Sequence, residues 1–370
     1  MTTGFLWHEL FAWHNTGNFA LVAPYGFPVQ PGEHAENPET KRRLRNLLDA
    51  SGLLKQLTLL EPRPATDAEI LRVHSQAYLD RVRSHNGDLA WEPGPSAVMG
   101  RGSFEIAKLA AGGCIEAVDA VVRGRIKNAY ALVRPPGHHA TREAGVGFCI
   151  FCNGAIAGKH ALEVLGLERI AFVDYDVHHG NGTQEAFWED RRALTISIHQ
   201  DRCFPPDSGH RSEQGAGAGW GYNINIPLPP GCGVGAYTAA FERVVLPALR
   251  KFRPQLIIVP SGFDAGGWDP LGRMMLSSST YRKLTTALMS VAEEICNGRI
   301  VMTHEGGYSA ASVPFFGLAV LEALSGLSTG VQDPFQPMID GFGQQELQPH
   351  QDAAIQLAAE LLADLPTQTA

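Results

Sequence analysis

The stretch FVDYDVHHGNG, residues 172–182, places two aspartates and two histidines directly after an apolar run. In an extended chain, residues two apart point the same way, so Asp174, Asp176 and His178 would line one side. Asp264, in the later stretch SGFD, can supply a further carboxylate. Two carboxylates and one imidazole leave a fourth coordination position for water, which is the pattern of catalytic zinc. Iron(II) or cobalt could also occupy such a site.

Two adjacent histidines, His138 and His139, follow the stretch RPPG. A histidine pair near a metal-activated water suits proton transfer. Each ring needs an acceptor for its second N–H, and Asp174 and Asn181 are the candidates. Tyr308 follows two glycines, so its hydroxyl could reach an oxyanion opposite the metal. An ordinary half-buried tyrosine fits the same spacing, and both interpretations stay open on the residues alone.

The elements that must position these residues are short β-branched runs. Most are apolar on consecutive positions rather than on alternating ones, which is typical of strands covered on both faces of a parallel sheet. The predicted strands are Tyr130 to Val133, Ile170 to Val173, Leu194 to Ile198, Leu256 to Val259 and Ile300 to Met302. Helical patterns lie between them, so the sequence predicts an α/β fold with a mainly parallel sheet.

Three helical patterns begin at Gly154, Ala236 and Ser279, and Ser279 is predicted to cap its helix. A capping box at Thr66–Glu69 opens a further helix. A last amphipathic helix is predicted at about residues 352–362, either docked on the body of the chain or on a neighbouring subunit.

Polar residues follow four of the predicted strands. They stand in the stretches RPPGHH from residue 134, DYDVHH from residue 174, SGFD from residue 261 and HEGGY from residue 304. Any one of them could merely cap a helix or complete a loop. Ligands of open α/β sheets bind beyond the carboxyl ends of the strands, so four such stretches together predict a functional site at that edge.

Composition limits the classes of function. The net charge of −8 argues against binding to a phosphate backbone, which needs a basic face. The six cysteines of this 370-residue chain do not resemble a disulfide framework, and Cys149 and Cys152 are predicted to be core thiols despite their CxxC spacing. Neither a signal peptide nor an apolar run of about 20 residues is recognisable, so we expect a cytoplasmic protein without membrane contact.

The motifs RPPGHHA, DYDVHHGNGTQ, SGFDA with DPLG, and EGGY resemble, in that order, the histone deacetylase and acetylpolyamine amidohydrolase superfamily. Asn181, where class I enzymes carry Asp, and the run GFCIFCN are similar to bacterial class II histone-deacetylase-like amidohydrolases. The resemblance covers about residues 20–325. It implies an arginase/deacetylase-like three-layer α/β/α sandwich around an eight-stranded parallel sheet. The whole chain, residues 1–370, would be a single catalytic domain with residues 331–370 as a tail.

The resemblance also implies roles for individual residues. The zinc ligands would be Asp176, His178 and Asp264. The catalytic group would be His138, His139 and Tyr308, with Asp174 behind the first histidine and Asn181 behind the second. The substrate tunnel would use Gly147, Phe148, Phe204 and Leu271. Structural potassium ions would bind at one or two sites, an inner one at Asp174, Asp176, His178, Ser197 and Ile198 and an outer one at Phe187, Asp190, Ala193 and Tyr222.

The implied activity is zinc-dependent removal of acetyl or other short acyl groups from acyl-lysine or related acylated amines. A zinc-bound water would attack the amide carbonyl, with His139 as general base and Tyr308 stabilising the oxyanion. Relatives are often dimers or tetramers, so a homo-oligomer is expected.

Three alternatives stay open. The first is deacetylation of acetylpolyamines, and the second is a non-catalytic module that binds acyl-lysine. The third is a binuclear ureohydrolase, which needs an Asp-x-His-x-Asp run. Here that run ends in Gly180, so the last carboxylate is missing.

Two stretches depart from the common family pattern. After Phe204 the loop reads Pro205-Pro206-Asp207-Ser208-Gly209, and His304 precedes the tyrosine loop. Both could alter the tunnel rim or the mobility of a loop. They bear on the choice of substrate rather than on the chemistry.

Overall fold

A computed structural model describes residues 2–24 and 30–367 of the chain. Its centre is an eight-stranded parallel sheet. The strands are β1 (Thr3–Leu6), β2 (Thr58–Leu60), β3 (Asn128–Ala131), β4 (Ile170–Asp174), β5 (Ala193–Gln200), β6 (Asn223–Leu228), β7 (Ile257–Ser261) and β8 (Ile300–His304). Their spatial order is β6–β5–β4–β7–β8–β3–β1–β2.

Helices connect the strands. They are α1 (Glu39–Ala50), α2 (Asp67–Ile70), α3 (Gln76–Ser84), α4 (Ser103–Val122), α5 (Asn153–Glu163), α6 (Asn181–Ala186), α7 (Val234–Ala240), α8 (Leu246–Phe252), α9 (Ser278–Cys296), α10 (Val313–Ser325), α11 (Gln336–Asp340) and α12 (Pro349–Ala359). A π-helical turn, Phe241–Val245, joins α7 to α8. Short 3-10 helices span Glu9–Trp13, Leu54–Gln56, Gly217–Gly219 and Glu360–Ala363. Small antiparallel strands lie at Asn18–Ala20, Ala23–Pro24, Gly32–Glu33, Trp91–Gly94 and Ala97–Met99.

Both faces of the central sheet are buried. In β4, Ile170 and Phe172 join one hydrophobic cluster, and the alternate residues Ala171 and Val173 join the other. The first cluster continues into α4 and α5, and the second into α8, α9 and α10. Because every side chain of the strand meets an apolar layer, the strand is continuously hydrophobic. The predicted three-layer α/β/α class is confirmed.

All five predicted strands lie in this sheet. The strands β1, β2 and β6 were not predicted from the sequence pattern. The predicted helix from Ala236 is interrupted by the π-helical turn. The prediction that Ser279 caps its helix is wrong, because α9 begins at Ser278 with Ser277 as its N-cap residue. The capping box at Thr66–Glu69 is confirmed, since each residue's side chain accepts a hydrogen bond from the other's backbone N–H.

The four chemistry-bearing stretches follow four strands that are neighbours in the sheet, in the order β4–β7–β8–β3. Because the strands are parallel, their carboxyl ends meet at one edge. The fold therefore gathers at one place residues that are more than a hundred positions apart in the chain.

The tail helix α12 packs against β6 and α7 of its own chain and buries Ile355 and Ala358. Residues 25–29 of the predicted core and residues 368–370 of the predicted tail lie outside the described residues. Over the described part of the chain, none of the helices combines the length and the apolar character needed to cross a membrane.

Candidate active site

Three potential metal ligands converge beyond β4 and β7. One donor atom from each of Asp176, His178 and Asp264 lies within 4.8 Å of the others, and all three residues are buried. Nδ1 of His178 lies 3.1 Å from Oδ1 of Asp176 and 3.1 Å from Oδ2 of Asp264. The imidazole therefore faces both carboxylates.

Two glycines lie beside these ligands, where a side chain would collide with them. A Cβ atom at Gly262 would collide with the Asp176 carboxylate, and one at Gly306 would collide with the carboxylates of Asp264 and Asp176. The N–H of Gly306 donates to Oδ2 of Asp176 at 2.8 Å, and the N–H of Val177 donates to Oδ1 of Asp264 at 2.8 Å. The second oxygen of each carboxylate is thus fixed by the backbone. Two oxygens and one nitrogen in this arrangement fit a divalent cation such as Zn²⁺.

The electrostatics of the three ligands also suit a cation. Burial, reinforced by the neighbouring Asp176 carboxylate, raises the pKa of Asp264. Burial opposes a charge on His178, but hydrogen bonds to Asp176 and Asp264 outweigh it and raise the pKa of this imidazole. Two buried carboxylates beside one imidazole thus attract positive charge, which a proton or a metal ion can supply.

Each histidine of the adjacent pair has a polar partner at Nδ1. Nδ1 of His138 lies 2.9 Å from Oδ2 of Asp174, and Nδ1 of His139 lies 2.8 Å from Oδ1 of Asn181. Both rings are buried, with their centroids 3.9 Å apart. Glu305 holds the backbone of this pair, because its Oε2 atom accepts the N–H groups of Gly137 at 2.7 Å and His138 at 3.0 Å.

The two rings differ in their affinity for a proton. Burial opposes a charge on His138, but the carboxylates of Asp176 and Asp174 outweigh burial and raise its pKa to about 10. Burial lowers the pKa of His139, and the neighbouring imidazoles of His138 and His178 lower it further. His139 is thus the neutral member of the pair, which is the state that a general base requires.

A narrow cavity of about 200 Å³ leads from the surface to His139 and His178. Its lining is mostly apolar and consists of Val22, Ser96, His139, Gly147, Phe148, His178, Cys203, Phe204, Leu271 and Tyr308. All four predicted tunnel residues are among them. The rings of Phe204 and His139 are 5.0 Å apart, and those of Phe148 and Tyr308 are 5.7 Å apart.

Tyr308 reaches this cavity from the loop after β8. Gly307 before it has φ +118°, a value that residues with a side chain rarely adopt. The N–H of Tyr308 donates to Oδ2 of Asp269 at 2.7 Å. Burial, reinforced by the Asp264 carboxylate, raises the pKa of Asp269 to about 8. Burial likewise raises the pKa of the Tyr308 phenol, so its hydroxyl keeps its proton and can donate it to a hydrogen bond.

The loop after Phe204 is held by buried histidines. Nδ1 of His179 lies 2.8 Å from Oγ of Ser208, and Nε2 of His199 lies 3.0 Å from the carbonyl oxygen of Gly209. The loop at residues 205–209, which departs from the family pattern, is thus held by hydrogen bonds to His179 and His199. The other departure, His304, is buried with Nδ1 2.8 Å from the hydroxyl of Tyr130.

The residues of the predicted inner potassium site are adjacent. Asp174 and Ser197 are register partners in β4 and β5, and Ile198 follows Ser197. Asp176 and His178 continue from Asp174, whose Oδ1 accepts the N–H of Asp176 at 3.0 Å.

The predicted outer potassium site lies around the start of β5. The N–H of Asp190 donates to the carbonyl of Phe187 at 3.0 Å, and the N–H of Ala193 donates to the carbonyl of Asp190 at 3.1 Å. The carbonyl of Tyr222 accepts the N–H of Thr195 at 2.9 Å. Potassium binding stays a prediction at both places.

Sequence reasoning missed several residues of this site. Val22 and Ser96 line the cavity from turns between small antiparallel strands, and no chemical signal marks them. Asp269 and Glu305 stand within the quoted stretches DPLG and EGGY, yet they were given no role. Their function as backbone acceptors depends on contacts between distant loops, which a single sequence does not reveal.

Comparisons with known proteins identify relatives of this chain. The family model of the histone deacetylase domain matches residues 34–324. A histone deacetylase-like amidohydrolase of Pseudomonas aeruginosa is 49% identical over 341 residues, which cover 91% of this chain and 90% of that protein. A probable deacetylase of Archaeoglobus fulgidus is 35% identical over 344 residues, which cover 90% of this chain and 89% of that protein. The crystal structure of the HDA15 HD domain matches with a TM-score of 0.81 at 30% identity, covering 98% of this chain and 99% of that chain. The chain therefore belongs to the histone deacetylase family.

Proposed function

We propose that this chain is a zinc-dependent amidohydrolase that removes acetyl or other short acyl groups from acyl-lysine or related acylated amines. One observation carries the proposal. His178 of the candidate metal site lines the same narrow, mostly apolar cavity as His139 and Tyr308. A slender alkyl chain fits such a cavity, and an amide at its inner end would meet all the groups that hydrolysis needs. The names of the bacterial and archaeal relatives support the same chemistry.

Asp176, His178 and Asp264 would hold the metal ion. When bound, Zn²⁺ would lower the pKa of a water molecule and polarise the amide carbonyl. Iron(II) or cobalt could bind the same donor set, so the choice of zinc is a separate part of the proposal.

The histidine pair would handle the protons. Asn181 occupies Nδ1 of His139, so Nε2 is the atom that would take a proton from the attacking water. Nδ1 of His138 is bound to Asp174, which favours the charged form of this ring. A protonated histidine would then donate to the departing amine nitrogen.

The remaining residues would bind and orient the substrate. The hydroxyl of Tyr308 would donate to the oxyanion that develops on the substrate carbonyl. Phe148 and Phe204 would flank the alkyl chain, and Leu271 would contact it at the rim. The carbonyl of Gly147 would accept the substrate N–H.

The alternative activities are less well supported. The mostly apolar lining does not distinguish an acetylpolyamine from an acyl-lysine, so polyamine deacetylation stays an alternative within the same chemistry. A non-catalytic binding module would have no need of the complete set of ligands, histidines and tyrosine. A binuclear ureohydrolase would need a carboxylate where Gly180 stands.

We further propose that the chain forms one catalytic domain, with potassium at the inner and outer sites described above. The cytoplasmic location, the homo-oligomeric state and the lack of nucleic-acid or membrane partners stay predictions.

The test is acyl release from acetyl-lysine peptide, acetylputrescine, acetylspermidine and trifluoroacetyl-lysine. Metal-stripped protein would be assayed with and without added zinc, beside a Tyr308→Phe variant. Zinc-dependent turnover that collapses in the variant is the expected result, and the ranking of the panel would identify the substrate class. Stoichiometric zinc binding without turnover of any compound would contradict the proposal and favour the binding module.

A further inference from the structure

Asp269 joins two loops that line the proposed tunnel. It lies in the DPLG stretch between β7 and α9, and its side chain is buried. Oδ1 accepts the N–H of Leu271 at 2.8 Å, and Oδ2 accepts the N–H of Tyr308 at 2.7 Å. Leu271 and Tyr308 both line the cavity that contains His139 and His178. One carboxylate therefore holds the backbone of the rim and the backbone of the tyrosine at the same time.

The loop before Tyr308 is held at Gly306, whose N–H donates to Asp176 and whose carbonyl accepts the N–H of Phe263. Two glycines precede Tyr308, and the chain after it is half-buried until Ala311, which is exposed. Over residues 2–24 and 30–367, no side chain forms a hydrogen bond with the Tyr308 hydroxyl, and the ring contacts the ring of Phe148 edge-on. Nζ of Lys41 lies over the same ring, 5.8 Å from its centroid. The hydrogen bond to Asp269 is the contact that holds the backbone N–H of Tyr308 itself.

We propose that Asp269 is a positioning residue for Tyr308, which it holds at a set distance from the tunnel rim through two backbone hydrogen bonds. The inference rests on the proposed function, in which the Tyr308 hydroxyl binds the oxyanion. A displacement of about 1 Å at such a group can lower a rate by about 100-fold, so the position of the backbone matters for turnover.

The geometry requires a carboxyl group rather than an amide. Two N–H groups approach two different oxygens of Asp269, so each oxygen is needed as an acceptor. Both oxygens of a carboxyl group can accept, with or without a proton on one of them. In Asp269→Asn, one of the two N–H groups would face the amide NH₂, which can only donate. The substitution keeps the size of the side chain and removes one anchor.

The kinetic test is a double-mutant cycle with Asp269→Asn and Tyr308→Phe on the zinc-loaded full chain, with acetyl-lysine peptide or the best compound of the panel as substrate. Asp269→Asn is expected to lower kcat by about 10- to 100-fold, with a smaller change in KM and unchanged zinc content. In the Tyr308→Phe background the same change should have little further effect, because the hydroxyl that it positions is already gone.

A matched control distinguishes positioning from general damage. Glu322 is another buried carboxylate that accepts a backbone N–H, that of Thr329, but it lies at the end of α10, away from the cavity. Glu322→Gln is expected to leave kcat within about 2-fold of the original value. An equal loss of activity from Asp269→Asn in both backgrounds, or a kcat unchanged by Asp269→Asn, would overturn the inference.

Hydrogen exchange tests the anchor without any need for activity. Asp269→Asn should speed amide exchange in peptides that contain Tyr308 or Leu271, while peptides from β4 and β7 keep their protection. Unchanged exchange at both positions would overturn the anchoring role, even if the enzyme is active. If the original protein turns over no compound but exchange accelerates as expected, the proposed function fails while the anchor stands.

Discussion

Nδ1 of His139 lies 2.8 Å from Oδ1 of Asn181, the first residue of α6. This contact fixes the orientation of the ring and the nitrogen that carries its proton, since an amide oxygen can only accept. We predict that Asn181→Ala lowers kcat by about 10- to 100-fold, the usual effect of losing a partner that orients a catalytic histidine. Steady-state kinetics on the zinc-loaded protein would measure it.

Asn181→Asp is the control for this prediction, because it keeps an oxygen acceptor at the same place. It should retain more activity than Asn181→Ala. If the two variants were equally inactive, or if Asn181→Ala kept full activity, the orienting role would be wrong.

Gly147 is predicted to tolerate no side chain. It has φ +50°, and a Cβ atom there would lie 2.5 Å from Cδ2 of His139 and 2.6 Å from Cε1 of Phe204. Gly147→Ala should therefore lower kcat/KM by roughly 100-fold, because it displaces a catalytic ring and a tunnel wall together.

Gly52→Ala offers a matched control for the backbone strain. Gly52 has φ +77° and nothing within 4 Å of an added Cβ atom. The change should cost about 1 kcal/mol of unfolding free energy but leave kcat/KM unaltered. Equal activity losses in the two variants would show that strain, rather than displacement of His139 and Phe204, explains the effect.

Glu305 should accept an amide substitution, unlike Asp269. One oxygen, Oε2, accepts both N–H groups of the histidine loop, and Oε1 accepts the hydroxyl of Thr303 at 3.2 Å. In Glu305→Gln the amide oxygen can accept the N–H groups of Gly137 and His138, and the NH₂ can donate to the hydroxyl oxygen of Thr303. We predict kcat within about 3-fold for Glu305→Gln and a loss of about 10- to 100-fold for Glu305→Ala. The reverse ranking of these two kcat values would contradict this reading.

His74 should make the fold less stable in mild acid. Its ring is buried, with Nδ1 2.8 Å from the Thr141 carbonyl oxygen and Nε2 accepting the N–H of Cys152 at 2.9 Å. Burial lowers the pKa of His74 to about 4. Between pH 6.5 and pH 4 the unfolded chain therefore binds a proton that the folded chain does not. Stability contributed by the neutral ring is complete above pH 6.5 and falls by roughly 3 kcal/mol towards pH 4.

Urea unfolding at several pH values measures this effect. His74→Gln should unfold more easily at neutral pH, because the imidazole contacts are lost, but its stability should fall less between pH 6.5 and pH 4. A decline in the variant as steep as in the original protein would show that His74 does not titrate on unfolding.

The sequence predicted the α/β class and the central strands because those strands are buried on both faces. The run Ile170–Val173 is apolar throughout, so its pattern is unambiguous. The strand Thr3–Leu6 is too short and too close to the N-terminus to give such a pattern, and Asn223–Leu228 carries two asparagines and a proline. These strands pair by backbone hydrogen bonds with distant segments, and such pairing cannot be predicted from local composition.

The polar cluster at the strand ends was predictable for a similar reason. Asp176 and His178 are two apart in an extended segment, so their common side follows from geometry. Asp264 and Tyr308 join them because β7 lies between β4 and β8 in the sheet, an arrangement that the parallel class made plausible. The acceptor roles of Asp269 and Glu305 were not predictable, because each depends on which loop faces which.

The most direct test of the central claim is stoichiometric reconstitution with zinc. Metal-stripped protein would receive increasing amounts of Zn²⁺, and the rate of acetate release from the best substrate would be followed beside zinc content and melting temperature. We predict that rate and melting temperature rise together to a plateau at one zinc per chain, and that Asp264→Asn shows neither rise. Full turnover without metal, or equal zinc binding by Asp264→Asn, would contradict the assignment of Asp176, His178 and Asp264 as the metal centre.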